Sequence, residues 1–418
     1  MSSTAPGPNF THAASPGVVG VVLAAGISSR MGELGPKPLL PLHGQAVLER
    51  AVTLLQQAGI GAVLTVLGHR ADEIAPLAKR AGARVLLNER YEEGMFSSVL
   101  AALRELERWN ISPDAAAILP TDCCLVRPAI VRDLLAVHAD IPESIIKPSY
   151  RGLTGHPVIV PASRFPAVLG HDGREGLRGA LAPFPCVEAP VWDRHSTWDM
   201  DSPEDYARAQ RAARRLHSPT AAECFALLED VRRLPPQAVA HGAAVARVAQ
   251  LLACRINSVS DASSRSDLPN ALDVDLVTAA GLLHDIAKGA PDHEHEGGRV
   301  LRALGLPEVA AVAETHRDFS LEADEPVTES AVVYLADKLV YGPRLVTVEE
   351  RFAQKIECFA ENPAEVDAIR GRRSRALAMH ERIAAIIGEP PYDYARRELM
   401  DAQGLVRWSL RNMDAIPC

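Results

Sequence analysis

The chain predicts two folds in series, a mainly parallel α/β domain followed by an all-α domain. Three observations carry this. At 418 residues it exceeds what one hydrophobic core usually supports. From Gly17 to about Ala209, short apolar runs alternate with stretches of helical period, which is the pattern of a parallel sheet covered on both faces. Beyond Arg211 the strand signals fade. The expected layout is a flexible tail over 1–16, the α/β domain over 17–211, a linker over 212–220, the helical domain over 221–388 and a C-terminal tail over 389–418.

Each element has a local reason. Val18 to Ala25, Val63 to Leu67, Arg84 to Leu87, Ala115 to Leu119 and Ser144 to Lys147 are short and apolar, and read as strands. Gln45 to Ala58, Asp72 to Ala81, Ser97 to Trp109 and Pro128 to Ala139 repeat apolar residues every three or four positions, and read as helices. Asp72 and Pro128 suit helix starts, and Gly59 and Gly82 suit helix ends. After the basic stretch Ala212 to Thr220, helices are expected at Ala221 to Arg233, Gln237 to Cys254, Val274 to Ala287, Glu296 to Leu304, Glu308 to His316, Ser330 to Val340 and Pro363 to Ile387. The polar segment Asn257 to Asn270 reads as a loop between two of them.

Composition narrows the class of function. The chain is 47% hydrophobic and 23% charged, as in ordinary globular proteins. Its formal charge of −9 argues against nucleic-acid binding, which needs a basic face. No uninterrupted apolar run approaches the ~20 residues of a membrane span, and Met1 to Pro16 lacks the basic and apolar regions of a signal peptide. The seven cysteines are scattered without a C-x-x-C, so reduced thiols in a cytoplasmic protein are expected. The adjacent Cys123 and Cys124 read as small buried side chains.

The first chemical signal is Val22-Leu23-Ala24-Ala25-Gly26-Ile27-Ser28-Ser29-Arg30-Met31-Gly32, followed by Lys37-Pro38. A buried strand ends at a glycine, small residues let the backbone close on a base and phosphates, and Arg30 and Lys37 supply positive charge. It is neither a Walker loop nor a dinucleotide fingerprint. Asp122 emerges from the end of another apolar strand, and Asp199 and Asp201 lie one residue apart before a helix that Ser202 suits as cap. Carboxylate oxygens at such positions suit Mg2+.

The loop L-A-A-G-x-S-x-R-M-G with its following K-P resembles that of the MobA-like nucleotidyltransferases that activate molybdopterin. Further likenesses are Asn88 with Gly94-Met95 and Ser97-Ser98, Asp122, Gly155-His156-Pro157, Asp172 to Gly176, and Asp199 to Asp205. The resemblance implies a Rossmann-like domain that moves a nucleotidyl group from an NTP with Mg2+ to the terminal phosphate of molybdopterin. It implies that Leu23, Ala24, Ala25, Gly26, Arg30, Lys37, Asn88 and Ser98 hold the nucleotide. It further implies that Arg30, Lys37 and Asp122 act in catalysis, Asp122 and Asp201 bind Mg2+, and Gly155, His156 and Pro157 face the acceptor. Ala25, where guanylyl members carry a second glycine, points to CTP. The chain departs from the family at Thr121-Asp122-Cys123-Cys124, where G-D-x-P is usual, and at Ser202, where threonine is commoner. The first departure leaves the acceptor open.

A second constellation lies in the helical half. His284 and Asp285 stand side by side in an apolar helix, which is costly unless something pairs with them. With His241, His295, His316 and Asp337 they resemble the HD-domain phosphohydrolase pattern H…HD…H…H…D. Imidazole plus carboxylate suits Mn2+, Fe2+, Zn2+ or Ni2+. The resemblance implies that His241, His284, Asp285 and Asp337 hold one metal, that Asp285 bridges to a second held by His295 and His316, and that Lys288 contacts phosphate; His293 is set aside as two residues off. The implied partners are CTP, molybdopterin and a molybdoenzyme that receives the finished cofactor, with neither nucleic acid nor membrane. A transferase acting on another small phosphate, and a nucleotide sensor without turnover, are the alternatives.

Overall fold

The computed structural model describes residues 17–109, 112–262, 271–322, 324–401 and 405–409. Two compact units result, Met1–Leu216 and His217–Cys418. The expected tail over 1–16 lies outside the described residues, as do 402–404 and 410–418 of the expected C-terminal tail.

In the first unit an eight-stranded sheet runs in the order Cys186–Pro190, Ile145–Tyr150, Val158–Pro161, Ala115–Pro120, Val18–Ala24, Ala62–Leu67, Arg84–Leu87, with the short Leu153–Thr154 added beside Ile145–Tyr150. Val18–Ala24 is buried along its whole length between two parallel neighbours, which explains its unbroken apolar sequence. Val158–Pro161 is antiparallel to both of its neighbours, so the sheet is mixed there. This strand and Cys186–Pro190 escape sequence reading because each is short and ends in proline. Helices occupy Val47–Gln57, Ala71–Arg80, Met95–Arg108 and Pro128–Asp140, close to the predicted spans.

Register decides where the chemistry sits. Val22 pairs with Leu119 and Leu23 with Pro120, so two parallel strands finish side by side. The Gly26 loop and Asp122 therefore leave the sheet at adjacent carboxyl ends, where ligands bind in open α/β sheets. The Thr121 hydroxyl donates to the Leu23 carbonyl at 2.6 Å and ties the two ends together. The last helix of the unit, Pro203–Arg214, begins with a reciprocal cap: Ser202 Oγ accepts from Asp205 N, and the Asp205 carboxylate accepts from Ser202 N. Residues 212–214 of the expected linker are thus helical.

The second unit is helical, built on Pro236–Ala262, Val274–Leu283, His293–Ala303, Pro307–Glu314, Glu329–Lys338, Val348–Cys358 and Pro363–Ile387. Pro236–Ala262 continues through Asn257, where a polar loop is expected, because Asn257 pairs with the backbone of Leu272 instead of opening the chain; 263–270 lie outside the described residues. By length and composition this one helix could cross a membrane among the described residues, and 78% of its most apolar stretch is buried in the fold. It packs on Val274–Leu283 at van der Waals distance: a Cβ on Gly281 would meet Ala246 Cα at 2.6 Å, and one on Gly242 would meet the Leu282 carbonyl oxygen at 2.7 Å. That approach brings the rings of His241 and His284 to 5.3 Å. Cys123, Cys124, Cys186, Cys224 and Cys358 are thiols, whereas Cys254 is disulfide-bonded, unlike the expectation of reduced thiols throughout.

Two candidate active sites

A cavity of about 330 Å³ opens at the paired strand ends of the first unit. Leu23, Ala24, Ala25, Gly26, Arg30, Lys37, Ser98, Asp122 and Asp201 all line it. Gly26 faces open space, so backbone rather than side chain meets whatever enters. Ser28 adopts a left-handed conformation (φ 56°) and its Oγ accepts from the Lys37 amide at 3.1 Å, which fixes the second half of the loop to the first. Sequence reading missed Ile27, Tyr91 and Thr121 on the wall. Asn88 does not line the cavity. It is buried, its amide donates to Ser97 Oγ at 2.8 Å and Ser98 Oγ at 3.0 Å, and it positions the helix that carries Ser98.

Lys37 Nζ lies 2.5 Å from Asp201 Oδ1 and 3.2 Å from Asp122 Oδ2, and Arg30 pairs with the other oxygen of Asp201. Burial opposes the Lys37 charge, but the bond to Asp201 and the charges of both aspartates outweigh it and raise its pKa. The bond from Lys37, aided by Arg30, holds the Asp201 carboxyl below its ordinary range against partial burial. Hard oxygens from a strand end and from a distant loop thus converge on one cationic point, a donor set that fits Mg2+. Asp199 does not join them. It lines a neighbouring cavity of about 390 Å³ with Cys123, Lys147, Gly155, His156, Arg178 and Trp198.

This second cavity contains the expected acceptor residues Gly155 and His156, while Pro157 is buried behind them and does not line it. A Cβ on Gly155 would sit 1.9 Å from the Ser196 carbonyl oxygen, so only glycine fits against that wall. Burial lowers the His156 pKa and favours the neutral ring, although Asp122 pulls the other way. Burial pushes the Cys124 thiol up to about 12 and Cys123 likewise upward, which leaves neither as a nucleophile.

The helical unit gathers His241, His284, Asp285, His316 and Asp337. His241 Nε2 is 3.3 Å from Asp337 Oδ1, and His284 Nε2 is 3.5 Å from Asp285 Oδ2. Each ring is oriented from behind: the Nδ1 atoms of His241, His284 and His316 lie 3.1, 2.8 and 2.6 Å from the carbonyls of Gly342, Gly281 and Ala313. With Nδ1 on a carbonyl, each Nε2 is aimed inward; that of His284 is buried, makes no hydrogen bond and faces Asp285 and Asp337. Burial opposes its charge, but theirs outweigh it and raise its pKa. That orphan atom and the mixed donors fit a divalent transition metal. Burial opposes the charges of Asp285 and Asp337, yet His284 and Lys288 beside the first, and Lys338 and His241 beside the second, hold both carboxyls far below the usual range. Asp285 has two faces: Oδ2 looks toward His241 and His284, and Oδ1 toward His316 at 3.6 Å, the geometry of a bridge.

Two expectations change here. The histidine opposite His316 is His293, whose Nε2 is 3.6 Å from Asp285 Oδ1; His295 is exposed and its Nδ1 pairs with Asp292 at 2.9 Å. Two residues along a helix turn a side chain through about 200°, so only one of the two can face the centre. The second change concerns His284 and Asp285, which follow the helix rather than continue it, since Val274–Leu283 ends one residue earlier. Lys288 holds Asp285 Oδ2 at 2.6 Å, beside the centre as expected. Lys338, the residue after Asp337, and Arg351, which sequence reading missed, reach Asp337 at 2.7 and 3.7 Å.

Comparison with known proteins agrees with this architecture. Residues 20–190 match the family model of the MobA-like NTP transferase domain, and residues 239–342 that of the HD domain. The bifunctional IPC transferase and DIPP synthase of Rubrobacter xylanophilus is 44% identical over 101 residues, a match spanning 23% of this chain and 23% of that relative's own length. Nicotine blue oxidoreductase of Paenarthrobacter nicotinovorans is 32% identical over 204 residues, covering 46% of this chain and 96% of that protein. Phosphoenolpyruvate guanylyltransferase of Rubrobacter xylanophilus is 34% identical over 201 residues, covering 46% and 92%. The N-terminal half of the chain belongs to the MobA-like nucleotidyltransferases, and an HD domain follows it.

Proposed function

We propose that the chain is a bifunctional cytoplasmic enzyme whose first domain transfers a cytidylyl group from CTP to the terminal phosphate of molybdopterin, releasing pyrophosphate, and whose HD domain is a phosphohydrolase. One observation carries the transferase reading: Lys37, Asp122 and Asp201 meet beneath the Gly26 loop at the ends of two paired strands. Loop amides and Arg30 bind the triphosphate, and Lys37 neutralises charge at the transferring phosphate. Asp122 and Asp201 would hold Mg2+, which when bound stabilises charge on the phosphate oxygens. The acceptor enters through the cavity walled by Gly155 and His156, with Asp122 at the edge of the nucleotide cavity. Ala24 and Ala25 limit the room at the base.

In the HD domain His241, His284, Asp285 and Asp337 would hold one divalent metal, and Asp285, His293 and His316 a second. When bound, the metals supply Lewis acidity and an activated water for attack on phosphorus. The protein orients the ligands through backbone carbonyls and keeps both carboxylates ionised.

The test is to incubate the purified chain with Mg2+, molybdopterin and each NTP in turn and to measure pyrophosphate. Release with CTP above the other nucleotides is expected; no release with any of them sinks the reading. A second reading, transfer to another small phosphorylated acceptor, is favoured by the relative named for phosphoenolpyruvate; Lys147 and Arg178 in the cavity beside Gly155 would serve either acceptor. Both cations suit any phosphate, so the same assay with phosphoenolpyruvate separates the two.

A further inference from the structure

Beside the HD centre, a strip of groups runs outward and takes no part in holding metal. Asp337 Oδ1, which faces His241 and His284, lies 3.7 Å from Arg351 Nη2. The Arg351 guanidinium in turn lies 5.2 Å from the centre of the Tyr341 ring, and Tyr341 is 50% exposed. Tyr341 belongs to the short hairpin whose next residue, Gly342, offers its carbonyl to His241 Nδ1. An exposed aromatic ring is therefore fixed to the backbone that orients a metal ligand. Arg351 itself is only partly satisfied: its Nε is buried with no partner.

Positive charge is in excess along this edge. Lys288 stands on Asp285, Lys338 on Asp337, and Lys355 lies one helical turn beyond Arg351. Partial burial of the Lys355 ammonium, with the charges of Arg351 and Lys338, lowers its pKa to about 8, although the residue as a whole keeps much of its solvent exposure. Crowded cations next to a metal centre are relieved by an anion, and a guanidinium with free donors recognises phosphate in particular.

Resting on the hydrolase reading above, we propose that Arg351 and Tyr341 form the substrate-binding edge of the HD site. Arg351 grips a non-transferred or transferring phosphate oxygen, and Tyr341 stacks on a planar, aromatic portion of the same molecule. The substrate class is then a phosphate ester or anhydride carrying an aromatic ring close to its phosphate. Arg351 bears on substrate through its free donors while its contact to Asp337 keeps it aimed at the centre.

The experiment uses the full chain loaded with Mn2+ and two probes, the non-hydrolysable phenylphosphonate and inorganic phosphate, with binding measured by calorimetry and bound metal counted in every sample. The metal-depleted Asp285→Ala variant reports any binding elsewhere in the chain. Wild type should hold phenylphosphonate about tenfold more tightly than inorganic phosphate, in line with aromatic stacking. Tyr341→Ala should remove that preference without changing phosphate affinity or metal content, and Tyr341→Phe should restore it. Arg351→Ala should weaken both probes at unchanged metal content. Equal affinity for the two probes in metal-loaded wild type, or loss of both probes with Tyr341→Ala, overturns the proposal and leaves the hydrolase reading standing. A wild-type chain that binds no metal overturns both.

Discussion

Replacing His293 by alanine tests the division of the helical centre into two metal positions. His293 is 28% exposed, and its Nε2 and that of His316 both lie 3.6 Å from the same oxygen of Asp285. Without it the second position keeps one imidazole and one bridging oxygen, while the first keeps all of its donors. Loss of a group that only orients a ligand weakens metal sites about 10–100-fold, so loss of the ligand itself should reach at least the upper end of that range. Metal analysis after dialysis should fall from two ions per chain toward one, and phosphatase activity with p-nitrophenyl phosphate should fall with it. His295→Ala is the internal control: that side chain is 70% exposed and engaged with Asp292 on the outer face of the helix. It should leave metal content and melting temperature at wild-type values. The reasoning is refuted if His295→Ala loses an ion while His293→Ala retains both.

Asp122→Ala should lower nucleotidyl transfer by more than about 100-fold, several kcal/mol of lost transition-state stabilisation, with an unchanged melting curve; transfer within tenfold of wild type would remove Asp122 from the site. Ala25→Gly should narrow a preference for CTP over GTP by giving the base more room, and a wild-type chain that prefers GTP contradicts the cytidylyl assignment while sparing the transferase one. Asp193 is wholly buried; burial disfavours its charge, but Arg127 at 2.9 Å and His195 at 2.8 Å outweigh it and hold its carboxyl far below the usual range. A carboxyl depressed in the folded state stabilises fully at neutral pH and loses that contribution as pH falls below the unfolded value of about 4. Acid melting should therefore begin there, and Asp193→Ala should cost about 3–5 kcal/mol by leaving Arg127 buried without its carboxylate; a melting temperature flat from pH 6 to pH 3 contradicts this. Finally, a chelator selective for transition metals should abolish hydrolysis in excess Mg2+ and leave pyrophosphate release intact; joint loss of both activities would show that the two centres do not differ in donor chemistry.

Much of this architecture was legible because burial leaves a plain trace. Val18–Ala24 lies between two parallel strands and must be apolar throughout, so it announced itself; Cys186–Pro190 is an edge strand with three of its five residues exposed, and it did not. Fixed order made the nucleotide loop readable, since glycine, arginine and lysine there each answer a separate requirement. What sequence cannot show is facing. His293 and His295 are equal as letters, and only the start of the helix at His293 decides which of them turns inward. Asp199 and Asp201 look alike for the same reason, yet one lines the cavity of Gly155 and His156 and the other meets Lys37. Arg351 is invisible in sequence because it acts from a helix that follows the last motif residue, Asp337, by a hairpin.

The two centres are kept apart by the chemistry of their donors rather than by any device of recognition. In the first, the donors are carboxylate oxygens that a lysine and an arginine already draw together, and hard oxygens suit a cation that retains part of its water shell. In the second, three imidazoles are locked with Nδ1 on backbone carbonyls, which aims their Nε2 atoms at the centre. Nitrogen donors raise affinity for transition metals far more than for Mg2+. The second centre should therefore prefer transition metals over Mg2+ more strongly than the first does. The carbonyl behind each histidine fixes its ring: without it the ring would be free to turn Nε2 away from the centre. Backbone positions with no side-chain chemistry of their own, Gly281, Ala313 and Gly342, therefore share in orienting the candidate ligands.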